Sequence, residues 1–306
     1  MPIEPLACLN GDRMPASEAK VPIWDRGFLF GDAVYEVMRL YSGRMWLEAE
    51  HLARLRRSLG EMQISGVDLD ALVVRIRETI AASGVREGTV YIQISRGVAP
   101  RRHRFPEPGT PPTELIVVGP YDDAATAELR KAGVPLVSRP DLRWRRCDVK
   151  SVNLLGNVLA NEEAHRLGCM EAVLVDRHGM VTEATHSSLL WARGGRLEGT
   201  PEGPGILPGT SRGFLLTLAE ALGLPFAEAE ISLDDLKRAD EVMLSGTTLE
   251  IVPVTQIDEA PIGDGTPGPV ARRLVEGFAE AVSRFREGRE PAPAGFPAGS
   301  ATLGRA

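Results

Sequence analysis

The chain has 306 residues, 43% of them hydrophobic and 25% charged, which is enough apolar material for two domains and speaks against disorder or a fibre. A net charge of −7 suits a freely soluble protein and argues against nucleic acid or an anionic membrane as the main partner. Any anionic ligand therefore needs a local cationic site.

No run approaches the roughly 18 apolar residues of a membrane span. The opening Met1-Pro2-Ile3-Glu4-Pro5 lacks the basic and apolar regions of a signal peptide, so a cytoplasmic location is expected. Cys8, Cys147 and Cys169 are too few and too widely spaced for a disulfide framework or a paired-cysteine metal site.

In chain order, Val34 to Tyr41 reads as a strand closed by the Ser42-Gly43 turn. Leu47 to Met62 reads as a helix with Leu52, Leu55, Leu59 and Met62 on one apolar face. A second helix over Leu69 to Ala82 and strands at Thr89–Ile94 and Glu114–Val118 complete a small N-terminal α+β domain, residues 1–119. The composition near Gly119-Pro120-Tyr121-Asp122-Asp123 places an interdomain linker at 120–125. The larger domain, 126–290, then shows a helix over Ala160–Leu167 stopped by Gly168, a strand at Ala172–Val175, a turn at Asp176–Gly179 and a strand at Ser187–Trp191. A helix opens at Thr210-Ser211 and stops at Gly223, Ser232 and Asp235 form a capping box, Glu241–Leu244 resembles a buried strand, and a last helix spans Val270–Phe285. Residues 291–306, dominated by Pro, Gly and Ala, are expected to be disordered.

Of 35 basic side chains only four are lysines, Lys20, Lys131, Lys150 and Lys237. Where arginine is used so freely, a retained lysine points to chemistry. Lys131 and Lys237 sit in charged, helix-like surroundings and Lys20 looks equally ordinary, whereas Lys150 precedes the apolar run Val152-Asn153-Leu154-Leu155. Burial favours the neutral amine that a Schiff base needs, although a plain structural lysine is the other reading of Lys150.

Glu183 follows a hairpin-like turn and precedes an apolar strand, so it points into a cleft or is a solvated turn residue. Thr210-Ser211, with Gly209 before them, open a helix whose N–H groups suit an anion, and Thr247-Thr248 offer a similar feature; both patterns are also ordinary caps or turns. Arg54 adds charge to such a site or lies on the surface. The loop Arg96 to Arg104 concentrates cations in an acidic chain, which suits bidentate capture of a carboxylate and equally suits a solvated loop. The histidines show no metal-site spacing, and no nucleophile-elbow or Walker-type motif occurs.

A lysine, an acid, a phosphate cradle and a carboxylate trap are together the parts that amino-group transfer through pyridoxal phosphate requires. The stretches Asp25 to Val37, Arg96 to Pro106, Arg143 to Gly156 and Val181-Thr182-Glu183 resemble, in that order, the class IV (fold-type IV) pyridoxal-phosphate aminotransferases, and within them the D-amino acid branch. The resemblance implies a two-domain α+β fold, with a small N-terminal α/β domain and a larger C-terminal domain around a β-barrel-like core. It implies Lys150 as the Schiff-base lysine, Glu183 beside the pyridine nitrogen, and Arg54, Thr210, Ser211 and Thr247 around the phosphate. Ser187 and His186 would also line the cofactor, with Glu171 as an acid behind Glu183. Tyr35, Arg101 and His103 would meet the substrate, and the loop bearing the last two would reach a partner subunit in a homodimer. Two departures stand out: His186 replaces the family's usual serine, and Gly246 replaces a hydroxyl residue. Branched-chain or (R)-amine transamination, an aminodeoxychorismate-lyase-like elimination and a non-enzymatic binding role are the competing readings.

Overall fold

The computed structural model describes residues 4–289, so the tail expected to be disordered at 291–306 lies outside the described residues. The chain divides into two units, one running to Asp122 and including Val149–Asn153, the other made of Asp123–Asp148 and the chain from Leu154 onward. Val149–Asn153 thus leaves the stretch assigned from sequence to the second domain and joins the first unit.

The first unit contains β1 (Leu6–Leu9), β2 (Asp12–Pro15), α1 (Arg26–Phe30), β3 (Ala33–Tyr41), β4 (Arg44–Met45), α2 (Glu48–Glu61), α3 (Leu69–Ser83), β5 (Gly88–Ser95) and β6 (Thr113–Pro120). Its antiparallel sheet has the order β2-β1-β6-β5-β3-β4. Alternate residues of the central strands, Val34, Met38, Val90, Ile92, Ile94, Ile116 and Val118, pack against Leu55 and Leu59 of α2 and Leu72, Ile76 and Ile80 of α3. Period-two alternation leaves Tyr35, Tyr91 and Gln93 half-buried on the opposite face. The buried face of α2 differs from the expected one: His51, Arg54 and Ser58 lie inward with Leu55 and Leu59, while Leu52 and Met62 are only half-buried. Glu36 on β3 draws these polar groups into the core.

The second unit continues with α4 (Ala124–Ala132), β7 (Val134–Pro140), α5 (Leu155–Arg166), β8 (Glu171–Val175), β9 (Val181–Ala184), β10 (Ser188–Arg193), β11 (Arg196–Gly199), α6 (Thr210–Ala221), β12 (Phe226–Glu228), α7 (Leu233–Leu236), β13 (Glu241–Gly246), β14 (Glu250–Ile257), β15 (Ala260–Pro261) and α8 (Pro269–Arg286). The strands form one sheet in the order β12-β11-β10-β13-β14-β7-β8-β9, with β15 beside β14. The sheet curls into a half-barrel, and the end of β9 returns to β10 through the Ala184 N–H, which donates to the Ser187 carbonyl at 3.2 Å. Leu136, Val173, Leu189, Trp191, Val242, Leu244, Val252 and Val254 belong to its core. Phe214 of α6 meets Phe278 of α8 edge to face at 4.9 Å. This is the α+β, barrel-containing fold that the resemblance implies.

Three differences have local causes. Residues 124 and 125, inside the expected linker, begin α4. β7 and β14 are absent from the sequence reading because Pro135, Pro140 and Pro253 count against a strand, yet each run is paired in the sheet. α5 starts at Leu155 rather than Ala160, with Leu155, Val158 and Leu159 exposed.

Candidate active site

Lys150 lies in a short extended segment along the start of β3. Ser151 bridges Val34, the Val152 N–H donates to the Ala33 carbonyl at 3.1 Å, and the Tyr35 N–H donates to the Lys150 carbonyl at 3.0 Å. On its other side the Lys150 N–H donates to the Ser58 Oγ at 3.2 Å. Val149, 4% exposed, anchors the segment in the core of the first unit. The backbone is therefore held while the side chain stays half-buried, with Nζ 4.4 Å from the centre of the Tyr35 ring. Lys150 and Tyr35, both predicted site residues, are thus neighbours.

Beneath Tyr35 runs a buried charge cluster. Glu36, fully buried, accepts two bonds from Arg54, Nε at 2.7 Å and Nη2 at 2.8 Å, and its Oε2 is 2.7 Å from His51 Nδ1. Burial opposes ionisation of Glu36, but the charge and hydrogen bonds of Arg54, aided by His51, outweigh it and hold the carboxyl well below the usual range. His51 is itself shifted down, first by burial, with Glu36 opposing. Arg54, expected at a phosphate, has its guanidinium plane fixed by this pairing. Glu36 went unrecognised because a Glu inside a strand pattern reads as an exposed position.

Arg101 and His103 stand exposed on the loop between β5 and β6. The structure brings both to Phe30, with the Arg101 guanidinium 5.3 Å and the His103 ring 5.7 Å from its ring centre.

In the second unit Glu183 lies near the end of β9, 5% exposed, and its Oε2 accepts from Arg143 Nη1 at 2.6 Å. Arg143 is held in turn by both oxygens of Asp141 and by the Gly205 carbonyl. Burial pushes the Glu183 carboxyl up, and Arg143 offsets this only in part. A solvated turn residue is therefore not what Glu183 is. Arg143 has no role in the sequence reading; its signal is charge alone, in a short stretch where Arg143, Arg145 and Arg146 follow Asp141.

Glu171, fully buried, accepts from the Thr185 hydroxyl at 2.9 Å, the His186 N–H at 2.8 Å and the Ser187 hydroxyl, and so shapes the 185–187 turn that follows Glu183. His186 Nε2 lies 3.2 Å from Glu171, while its side chain is half exposed.

α6 starts at Thr210 with no side-chain cap, and Thr210 and Ser211 are buried. A Cβ at Gly209 would fall 2.6 Å from Ser188 Oγ, so a larger residue there would force the Ser188 hydroxyl to turn away. Ser188 pairs across the sheet with Ser245, whose buried hydroxyl has no hydrogen-bond partner. Gly246 and the half-buried Thr247 continue from it. The N-terminus of α6 suits an anion, the buried Ser245 hydroxyl is a donor without an acceptor that a phosphate can satisfy, and a buried acid suits a ring nitrogen. These residues fit a phosphorylated pyridine cofactor.

The family model for amino-transferase class IV matches residues 33–257. The chain belongs to the class IV aminotransferases. Among relatives of this class IV aminotransferase, D-alanine aminotransferase of Staphylococcus haemolyticus is 39% identical over 88% of this chain and 95% of its own length. Among solved structures, the T.th. branched-chain amino acid aminotransferase with pyridoxamine 5'-phosphate superposes with a TM-score of 0.85 at 28% identity, covering 95% of this chain and 97% of that one. The 4-amino-4-deoxychorismate lyase of Pseudomonas aeruginosa gives 0.78 at 28%, covering 90% and 98%. Among the described residues, no group of His, Cys, Asp and Glu side chains is placed to hold a metal ion, and no helix is long and apolar enough to cross a membrane.

Proposed function

We propose that this class IV aminotransferase transfers amino groups from D-amino acids to 2-oxo acids with pyridoxal 5'-phosphate, the D-alanine/2-oxoglutarate type, by a ping-pong cycle. The identity of 39% with a D-alanine aminotransferase, against 28% with the branched-chain enzyme and the lyase, carries the substrate class.

When bound, the cofactor supplies an aldehyde carbon that bonds amines covalently and a ring that withdraws electrons from the substrate Cα. Lys150 Nζ would hold the cofactor's aldehyde carbon, and as an amine it would carry the proton to and from the substrate Cα. Glu183 would face the pyridine nitrogen and keep a proton there, and Arg143 Nη1 holds its Oε2 in place at 2.6 Å. Thr210, Ser211 and Thr247 bind the phosphate with N–H and hydroxyl donors, and Arg54 adds a cation. Ser187 and His186 line the cofactor in front of Glu171. Tyr35 shields the substrate side, and Arg101 with His103 holds the substrate carboxylate.

The enzyme acts in the cytoplasm as a homodimer. Val21, Ile23, Trp24 and Phe28 form an exposed apolar stretch in the first unit, with Phe28 74% exposed, and Leu155, Val158 and Leu159 form another in the second, with Leu155 70% exposed. Such surfaces call for a partner.

A half-reaction screen tests this reading. Loss of the cofactor's visible absorbance with D-alanine, but not with L-leucine or a simple (R)-amine, is expected. Bleaching by L-leucine first, or release of pyruvate from an aminodeoxychorismate substrate without an amino acceptor, overturns it. Lys150→Ala abolishes both turnover and the visible band; an active, coloured variant refutes the lysine assignment.

A further inference from the structure

The loop from Arg96 to Pro112 leaves β5 and returns as β6 without regular structure of its own. Its base is pinned by main-chain bonds, the Arg26 N–H to the Gly97 carbonyl at 2.9 Å and the Ala99 N–H to the Trp24 carbonyl at 3.2 Å. Past Ala99 the anchoring changes in kind. Arg26, 3% exposed, sends Nη1 to the Arg102 carbonyl at 2.7 Å and to the Arg104 carbonyl at 3.4 Å. Among the described residues these are the hydrogen bonds that tie the 100–106 stretch to the rest of the first unit, and the two carbonyls flank His103.

The charge balance explains why Arg26 has donors to spare. Asp32 is one carboxylate shared by two buried guanidiniums. Arg96 takes both of its oxygens, at 2.8 and 2.9 Å, and Arg26 Nε takes Oδ2 at 2.8 Å. Arg96 completes its set on the Met62 and Gln63 carbonyls. Arg26 therefore keeps its charge oriented by Asp32 and directs its remaining N–H groups at the loop. Phe30 reinforces the arrangement, since its ring lies 4.8 Å from the Arg26 guanidinium while it also meets Arg101 and His103.

We infer that Arg26 is a positioning residue for substrate binding: oriented by Asp32, it clamps the main chain on both sides of His103 and so presents Arg101 and His103 to the substrate carboxylate. This rests on the reading of Arg101 and His103 as the carboxylate trap. Lysine cannot replace Arg26, because a single ammonium cannot reach Asp32 and two carbonyls from one fixed plane.

The test compares Arg26→Lys, Arg26→Gln and Arg101→Ala with the wild type, each as the full chain loaded with pyridoxal phosphate. Hydrogen exchange of the Arg101–Phe105 amides is read beside KM and kcat for D-alanine. Loss of one charge-assisted bond predicts, for Arg26→Lys, about tenfold faster exchange confined to the loop and about a tenfold higher KM. kcat and the visible absorbance stay near wild type. A purely structural role would instead slow kcat or spread the exchange increase over the unit. Wild-type exchange and KM in Arg26→Lys, with a raised KM in Arg101→Ala, overturn the Arg26 assignment alone. A normal KM in Arg101→Ala overturns the trap reading and the substrate role of Arg26 with it. Should Arg26→Lys not fold, Arg26→Gln carries the same two readouts, and collapse of both places Arg26 in the fold and refutes the clamp.

Discussion

Glu36 sits at the meeting point of a strand and a helix that would otherwise leave two cationic or titratable side chains without an anion in the core. Its folded-state proton affinity is held down, so it stabilises the fold above its unfolded value of about 4.3 and loses that contribution as pH falls. His51 is also shifted down, so its stabilising contribution is present above about 6.5 and is lost below it. The thermal midpoint is therefore expected to be level from about pH 7 to 8, to fall gently below about 6.5, and to fall steeply below about 4.3. In His51→Gln the first decline should disappear, and a profile identical to wild type would show that His51 does not titrate with folding. At Glu183, replacement by Gln keeps an oxygen facing Arg143 but removes the acid. A loss of about 100-fold in kcat, roughly 3 kcal/mol of barrier, is expected while the cofactor still binds; an unchanged kcat in a coloured variant would end the proposed role.

Two segments each carry a sharp constraint where they begin. The β5–β6 loop leaves its strand at Gly97, whose φ is +93° and whose Cβ, if present, would collide with the Pro111 carbonyl oxygen. Gly97→Ala should cost on the order of 1–3 kcal/mol, seen as a lowered midpoint in thermal unfolding, because both the backbone conformation and the close approach exclude a side chain. α8 begins against Glu241 of β13, whose two carboxylate oxygens accept from the Val270 and Ala271 N–H groups at 2.8 Å each. That carboxylate caps a helix whose own Gly268 offers no side chain. Glu241→Ala is expected to cost about 1–2 kcal/mol and to loosen the first turn of α8, measurable as faster amide exchange there.

At the scale of the molecule, sedimentation should report a species of twice 33.1 kDa, and substitution of Phe28 and Leu155 by charged residues should shift it toward the monomer. A wild-type monomer that still turns over D-alanine would remove the partner subunit from the mechanism.

What the amino-acid order alone made legible was whatever depends on local pattern. Val34–Tyr41, Leu69–Ala82 and Val270–Phe285 announce themselves by periodicity, and Lys150 stands out because the chain otherwise spends arginine so freely. Motif order added Glu183, Thr210, Ser211, Arg101 and His103 as expectations. Tertiary structure alone decided which groups compensate one another: that Glu36 holds Arg54 and His51, that Arg143 holds Glu183, and that Arg26 and Arg96 share Asp32. It also decided that β7 and β14 are strands despite their prolines, and that Val149–Asn153 leaves its sequence neighbours to pair with β3. Most of these contacts join residues well separated along the chain, and the favourable energy of a buried ion pair or an inner strand exists only once all partners are in place. A local window seldom contains the whole set: even Arg26 and Asp32, six residues apart, are balanced only with Arg96 in place, so local pattern does not announce the group.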